Sequence, residues 1–399
     1  MKYLERSSNI MANDVTKVAQ LALIAYESSA IERLDIIDII NTDTMFEVKN
    51  NIPEVFRQTL VDMASMVPLF EDTLNIGFLT DNHYEDTPYA FSSLGHYKYI
   101  AEMSKLVHLD AIIAGGDNVN GNTTKAHGMK HNGDVASLLL TRSNCDVFLL
   151  KGNHEDCSYY SSQSGKNTLD EVITDEELQK LYHTTTCLYG EKRKGSSLYF
   201  YKDYEKHKIR VIGLNSFDLP YVADSNGKNK YPTIDISGFQ NEQLNWLGNT
   251  ALKLPSNEWQ VILFSHAPIN GSFATFRQIN GDLLLGILKA FKTGTKFQKL
   301  GGETDVVANV NVDFTSQGPG TIIAFVSGHL HRDSQMNFEG INCIQSLNSL
   351  CDNSHPGETP YREEGNSNED AWDIFSIDTS TRKIKILRFG AGDGRIYGY

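Results

Sequence analysis

The sequence predicts an α/β fold, and three observations carry that prediction. Apolar runs of strand length alternate with helical patterns from Leu74 onward, several of those runs end directly in Asp, Asn or His, and 399 residues suffice for a large core. The runs NIGFLTD, DAIIAGGD, VFLLKGN, SLYFYKD, IRVIGLNS, WQVILFSH and TIIAFVSGH each have the apolar continuity of a buried strand. Helical spacing falls between them at 91–107, 133–141, 169–182 and 239–252. In such folds the carboxyl ends of strands are where reactive groups are displayed.

Before the first strand, apolar residues such as Val15, Val18, Leu21, Ile36, Ile40, Phe56, Leu60 and Met63 recur at helical intervals, which predicts a helical N-terminal arm over 1–72. It carries no catalytic-looking residue. It either packs on the body at 73–399 or serves as a docking or homo-oligomerisation surface. Within the body, 270–320 is a long insertion with one helical patch at 281–291, and its place beside strand ends makes it a candidate lid. After His331 come shorter strands, NFEGINCIQSL, WDIFSID and KIKILRFG, and the polar stretch 351–370 is expected to be a surface loop.

Composition narrows the partners. A formal net charge of -14 argues against a general nucleic-acid surface, although bound cations could create a local site for an anion. Cys145, Cys157, Cys187, Cys343 and Cys351 form no CxxC pair, so reduced thiols are expected. The N-terminus lacks an apolar signal core and no segment is long enough to cross a bilayer, which predicts synthesis in the cytosol without a signal peptide.

Five short motifs follow strands in order: Asp81-Asn82-His83, Gly116-Asp117-Asn118, Gly152-Asn153-His154-Glu155, Ser265-His266, and Gly328-His329-Leu330-His331. Together they offer carboxylate, amide and imidazole ligands without a thiolate, enough for two divalent ions of the Mn, Fe or Zn kind. If the backbone stays extended, Asp81 with His83 and His329 with His331 each share a face. Asn153 and His154 are awkward neighbours in a core but useful at a metal-phosphate site, where one supplies an oxygen ligand and the other a proton.

These motifs, in this order and across most of 74–345, resemble the calcineurin-like metallophosphoesterase superfamily. The resemblance implies a two-sheet α/β/β/α sandwich and a dinuclear metal centre that hydrolyses a phosphate-ester substrate. It implies Asp81, His83 and His331 on one ion, Asn153, His266 and His329 on the other, and Asp117 bridging both. A hydroxide shared by the ions would attack phosphorus, and His154 would face the substrate and aid the leaving group. The segment Asp117-Asn118-Val119-Asn120-Gly121 lacks the Asp-Arg-Gly ending of serine/threonine protein phosphatases, so the resemblance points to the phosphodiesterase and small-molecule phosphatase branches; a phosphodiesterase is expected first and a phosphomonoesterase second.

Asn118 and Arg332 are further candidates for substrate contact, Arg332 because a guanidinium binds a non-scissile phosphate in bidentate fashion. His127 and His131 are expected in a solvated loop. A contrasting expectation is a virion-associated phage tail component that acts on or binds a glycerophosphate polymer such as teichoic acid.

Overall fold

The structure is a computed structural model that describes residues 52–67, 73–86, 90–158, 160 and 168–399. Most of the N-terminal arm expected from the sequence, 1–51, lies outside the described residues. Its described part is α1 (Glu54–Met66), which follows Pro53 and buries Phe56, Leu60 and Met63, the i, i+4, i+7 stripe of an amphipathic helix. The Phe56 ring lies 4.7 Å from that of Tyr99 and 6.3 Å from that of Phe389, so α1 is fastened to the body.

From there strands and helices alternate: β1 (Thr73–Leu79), α2 (Ala90–Leu106), β2 (Ala111–Ala114), α3 (Lys125–Arg142), β3 (Asp146–Leu149), α4 (Asp175–Leu181), β4 (Lys192–Arg193), β5 (Phe200–Tyr204), β6 (Ile209–Gly213) and β7 (Ser237–Gly238). Next come α5 (Asn241–Trp246), running into a π turn at Leu247–Ala251, then β8 (Gln260–Phe264), β9 (Gln278–Ile279), α6 (Gly281–Thr293), β10 (Lys296–Gly301) and β11 (Ala308–Asp313). The chain ends in strands β12 (Thr321–Ser327), β13 (Ser334–Phe338), β14 (Ile341–Gln345), β15 (Ala371–Asp378), β16 (Lys383–Gly390) and β17 (Arg395–Gly398).

Two main sheets result, with strand orders β17-β16-β15-β1-β2-β3 and β13-β14-β12-β8-β6-β5-β4. Leu74, Ile76, Phe78, Ile113 and Phe148 of the first face Val211, Ile262, Phe264, Ile323 and Val326 of the second in one apolar layer. On the outer face of the first sheet, a second core joins α1 to α4; on the outer face of the second, α5, α6, β10 and β11 form a third. The fold is therefore the α/β/β/α sandwich that the motifs implied. Parallel β1, β2 and β3 in one sheet, and β6, β8 and β12 in the other, bring their carboxyl ends to one rim.

Within the segment 270–320, α6 buries Leu283, Leu284, Ile287, Leu288 and Phe291 in the outer core, and β10 pairs with β11. The part that reaches the strand-end rim precedes it, where the Phe276 ring lies 5.9 Å from that of His329. The free side of β11 is covered by amides. Asn309 N donates to Asn241 Oδ1 (2.9 Å) and Asn245 Nδ2 to Asn309 O (3.1 Å), then Asn311 N to Asn245 Oδ1 (3.4 Å) and Asn249 Nδ2 to Asn311 O (3.1 Å).

The loop expected around His127 and His131 is instead the start of α3. Close packing requires glycine at position 128 of this helix: a Cβ there would stand 2.2 Å from Cys157 Sγ. His131 is buried, and its Nε2 lies 3.0 Å from Asp86 Oδ1. No described helix is long and apolar enough to cross a membrane.

Candidate dinuclear metal centre

All five sequence motifs meet at the rim, but their backbone is not extended there. Asp81, His83, Asp117, His329 and His331 have φ of 52°, 53°, 49°, 75° and 54°, the left-handed region that non-glycine residues enter at a cost of about 1 kcal/mol or more each. The expectation that each pair shares a face through strand alternation is thus corrected: the strands have already ended, and left-handed kinks aim the side chains. Hydrogen bonds between loops hold these kinks, with Asp81 N donating to Gly116 O (3.0 Å), His83 N to Asp117 O (2.9 Å) and Gly328 N to His266 O (3.1 Å).

Close approach also explains two glycines. A Cβ on Gly152 would stand 2.2 Å from Asp117 Oδ1, and one on Gly328 would stand 2.1 Å from Thr80 Oγ1. Glu155 then locks two motifs together, because its carboxylate accepts from the backbone N–H of Asp117 (3.1 Å), Asn118 (2.6 Å) and Gly152 (2.6 Å). Burial, then the neighbouring Asp117, push its pKa up to about 8.

The ligating atoms cluster in three groups, Asp81/His83/His331, His83/Asp117/His154 and Asp117/His266/His329, each within 4.8 Å. Asp117 Oδ2 lies 3.1 Å from His266 Nε2, 3.8 Å from His83 Nε2 and 4.0 Å from His154 Nε2. Asp81 Oδ1 is 3.3 Å from His331 Nε2, and both its oxygens accept from His329 N at 3.1 and 2.9 Å. His83 Nε2 and His331 Nε2 stand 3.1 Å apart. The His266 ring is oriented by Nδ1 on Gly115 O at 2.9 Å, which turns Nε2 inward.

The electrostatics match a cation site. Burial works against the charge of Asp117, yet His266, His154 and His83 outweigh it and hold its carboxyl well below the usual range. Asp81 is lowered in the same way, against burial, by His266 and His331. Burial opposes protonation of His266, but Asp117 and Asp81 raise it to about 9; His331, against the same opposition, is raised to about 10 by Asp352 and Asp81. Burial lowers His83 to about 3, helped by His154, and lowers His329 to about 4, helped by His266.

Among the buried side-chain atoms without a hydrogen-bond partner in the protein is Asn153 Oδ1, next to His154 in the third motif. An orphaned amide oxygen beside clustered carboxylates and imidazoles is what a divalent ion would satisfy, so the residues present fit a dinuclear centre.

His154 is held differently. Its backbone N–H donates to Asp117 Oδ1 (2.9 Å), and its Nδ1 is hydrogen-bonded to Asn120 O, which leaves Nε2 facing the centre. The other two candidates have partners within the protein. Asn118 is buried, accepting from Tyr97 Oη (3.0 Å) and donating to Leu150 O (3.0 Å), so its side chain braces the core. Arg332 donates to Glu358 Oε2 (3.1 Å), while Asp333 pairs with Arg388 (2.7 Å) and Arg395.

Neither the bracing role of Glu155 nor the approach of Asp352 to His331 is among the sequence-based expectations. The acidic fourth position of GNHE marked Glu155, whereas nothing marked Asp352, whose Oδ2 lies 3.7 Å from His331 Nδ1. A separate polar cavity of about 850 Å³, walled by Asp175, Asn215, Asp218, Tyr221, Glu242 and Asp305 among others, contains none of the ligand residues. The clustered carboxylates and imidazoles stand at the rim and not in this cavity.

The sequence profile described as calcineurin-like phosphoesterase matches residues 74–333, and the chain belongs to that family of metal-dependent phosphoester hydrolases. A dimetal phosphatase from Danio rerio shares its fold at a TM-score of 0.52 and 14% identity, over 82% of this chain and 100% of that one. The purple acid phosphatase PPD1 from yellow lupin, Lupinus luteus, aligns at a TM-score of 0.45 and 12% identity over 83% of this chain and 54% of its own length. No curated protein sequence matches the chain.

Proposed function

We propose that the protein hydrolyses a phosphodiester at two divalent ions, one held by Asp81, His83 and His331, the other by Asn153, His266 and His329, with Asp117 shared. The observation that carries this is the placement of Asp117, whose Oδ2 lies between the two ligand sets, 3.1 Å from His266 Nε2 of one and 3.8 Å from His83 Nε2 of the other. Bound ions would supply hydroxide near neutral pH and neutralise the phosphoryl oxygens.

The chain's own residues do the rest. His83, His266, His329 and His331 present imidazole nitrogens, and the carboxylates of Asp81 and Asp117 balance the cationic charge. With its Nδ1 engaged by Asn120 O, His154 keeps Nε2 for the substrate side, where it serves as the proton donor to the departing alkoxide. The intact Gly328-His329-Leu330-His331 doublet and the missing Asp-Arg-Gly after Asp117 argue against a protein phosphatase and leave the phosphodiesterase and small-molecule phosphatase branches, of which the diester is the first reading.

The test compares wild type with Asp117→Asn on paired chromogenic phosphodiester and phosphomonoester substrates, with Mn²⁺, Zn²⁺, Mg²⁺ or chelator. Metal-dependent diester hydrolysis that Asp117→Asn abolishes is expected. Wild type no faster than the variant on both substrates would sink the enzyme reading, and a preference for the monoester would sink the diester assignment alone.

A further inference from the structure

The family match ends at residue 333, yet the chain beyond it returns to the metal motifs. We propose that Asp352 is a positioning residue that fixes the His331 imidazole for metal binding, an inference that rests on reading His331 as a ligand.

His331 is the most open of the ring pairs facing Asp81 and Asp117, with 21% of its side chain exposed against 0% for His266 and 9% for His83. Packing therefore does less to orient it. Its Nε2 faces the centre, 3.3 Å from Asp81 Oδ1, and its Nδ1 faces Asp352 Oδ2 at 3.7 Å, ion-pair range and a small ring rotation from a hydrogen bond. A ligating histidine held at its second nitrogen by a carboxylate keeps its tautomer and ring angle, which makes it a better ligand.

Asp352 is itself anchored. Ser354 donates to it through both backbone N (2.9 Å) and Oγ (2.6 Å). The buried Arg362 guanidinium gathers the carbonyls of Asn348 (2.7 Å), Ser349 (3.3 Å), Leu350 (3.2 Å) and Glu369 (3.3 Å), and Arg362 N donates to Asn353 Oδ1 (2.8 Å). The same segment is hydrogen-bonded to the first motif, Ser349 N to Thr80 O (2.8 Å) and Leu350 N to Asp81 O (3.1 Å). Asp352 thus stands on an arm built onto the backbone of Asp81, and through His331 it reaches the side chain of that same residue.

The experiment titrates full-length wild type, Asp352→Ala, Asp352→Asn and His331→Ala with Mn²⁺, by calorimetry and by electron paramagnetic resonance. In Asp352→Ala one of two ions is expected to bind about 10- to 100-fold more weakly. The other should be unchanged, and a mononuclear Mn²⁺ signal should appear where wild type shows a spin-coupled pair. Asp352→Asn, which keeps an acceptor oxygen, should recover part of the loss, and unfolding midpoints in chelator should match wild type. If Asp352→Ala binds both ions like wild type while His331→Ala loses one, the positioning role is wrong and the metal centre stands. If His331→Ala also binds both normally, the ligand reading falls and the proposal with it.

Discussion

Replacing Asn153 with alanine is expected to move stability and metal binding in opposite directions. Asn153 is 4% exposed, and its Oδ1 has no hydrogen-bond partner in the protein. A buried acceptor left unmade costs about 1–3 kcal/mol. Removing it recovers that sum less about 1 kcal/mol of lost packing. In chelator the variant should therefore be as stable as wild type or up to about 2 kcal/mol more stable, a midpoint rise of roughly 1–2 °C per kcal/mol at this chain length. With Mn²⁺ at a hundredfold excess over its dissociation constant, wild type gains about 2.7 kcal/mol. A variant whose affinity has fallen tenfold or more keeps at best about half of that gain. Thermal unfolding of both proteins, with and without Mn²⁺, reads the crossing directly. A variant more than about 1 kcal/mol less stable than wild type in chelator, or one stabilised equally by Mn²⁺, would refute the idea that this oxygen is reserved for a cation.

Three further outcomes are expected. His154→Ala should leave two ions bound, as measured by metal analysis, while slowing turnover by about 10²- to 10⁴-fold; loss of metal instead would show that His154 is structural. Metal binding should release protons, because His266 at about 9 and His331 at about 10 are charged at pH 7 in the metal-free protein and must be neutral to ligate. Apparent affinity should then fall as pH is lowered, approaching two protons per dinuclear site, and calorimetry in buffers of different ionisation enthalpy would expose a pH-independent site as a contradiction. Gly152→Ala should displace Asp117, since the added Cβ meets Oδ1 at 2.2 Å, and the check is whether both ion affinities fall together.

The motifs were legible because strand-end chemistry is local: Asp81, Asp117, Asn153, His266 and His329 each follow a short apolar run, and order along the chain identifies them. The sandwich followed from the same alternation. What remained hidden depended on contacts distant in sequence. The left-handed φ of Asp81 and His83 is sustained by carbonyls of Gly116 and Asp117, and no propensity of Asp or His predicts it. His131 reads as solvated because Gly128 weakens a helix, but burial of the face that carries Val135, Ala136, Leu139 and Leu140 overrides that local preference. Helical spacing at 281–291 was visible; that this helix would roof the second sheet was set by which apolar face the sheet left to cover.

The asparagines lining β11 have a consequence for how the molecule meets its neighbours. Four residues of α-helix rise about 6.0 Å and two residues of strand about 6.8 Å. Amides one helical turn apart can therefore stay in step with alternate peptide groups for a few steps before drifting out of register. Asn241, Asn245 and Asn249 use that near-match to act as a surrogate strand against Asn309 and Asn311. A ribbon of two strands would otherwise offer those peptide groups to any extended chain that approached it. With both satisfied internally, this side of the protein offers little purchase for strand-to-strand self-association, and replacing the asparagines with alanine should expose a seed for aggregation.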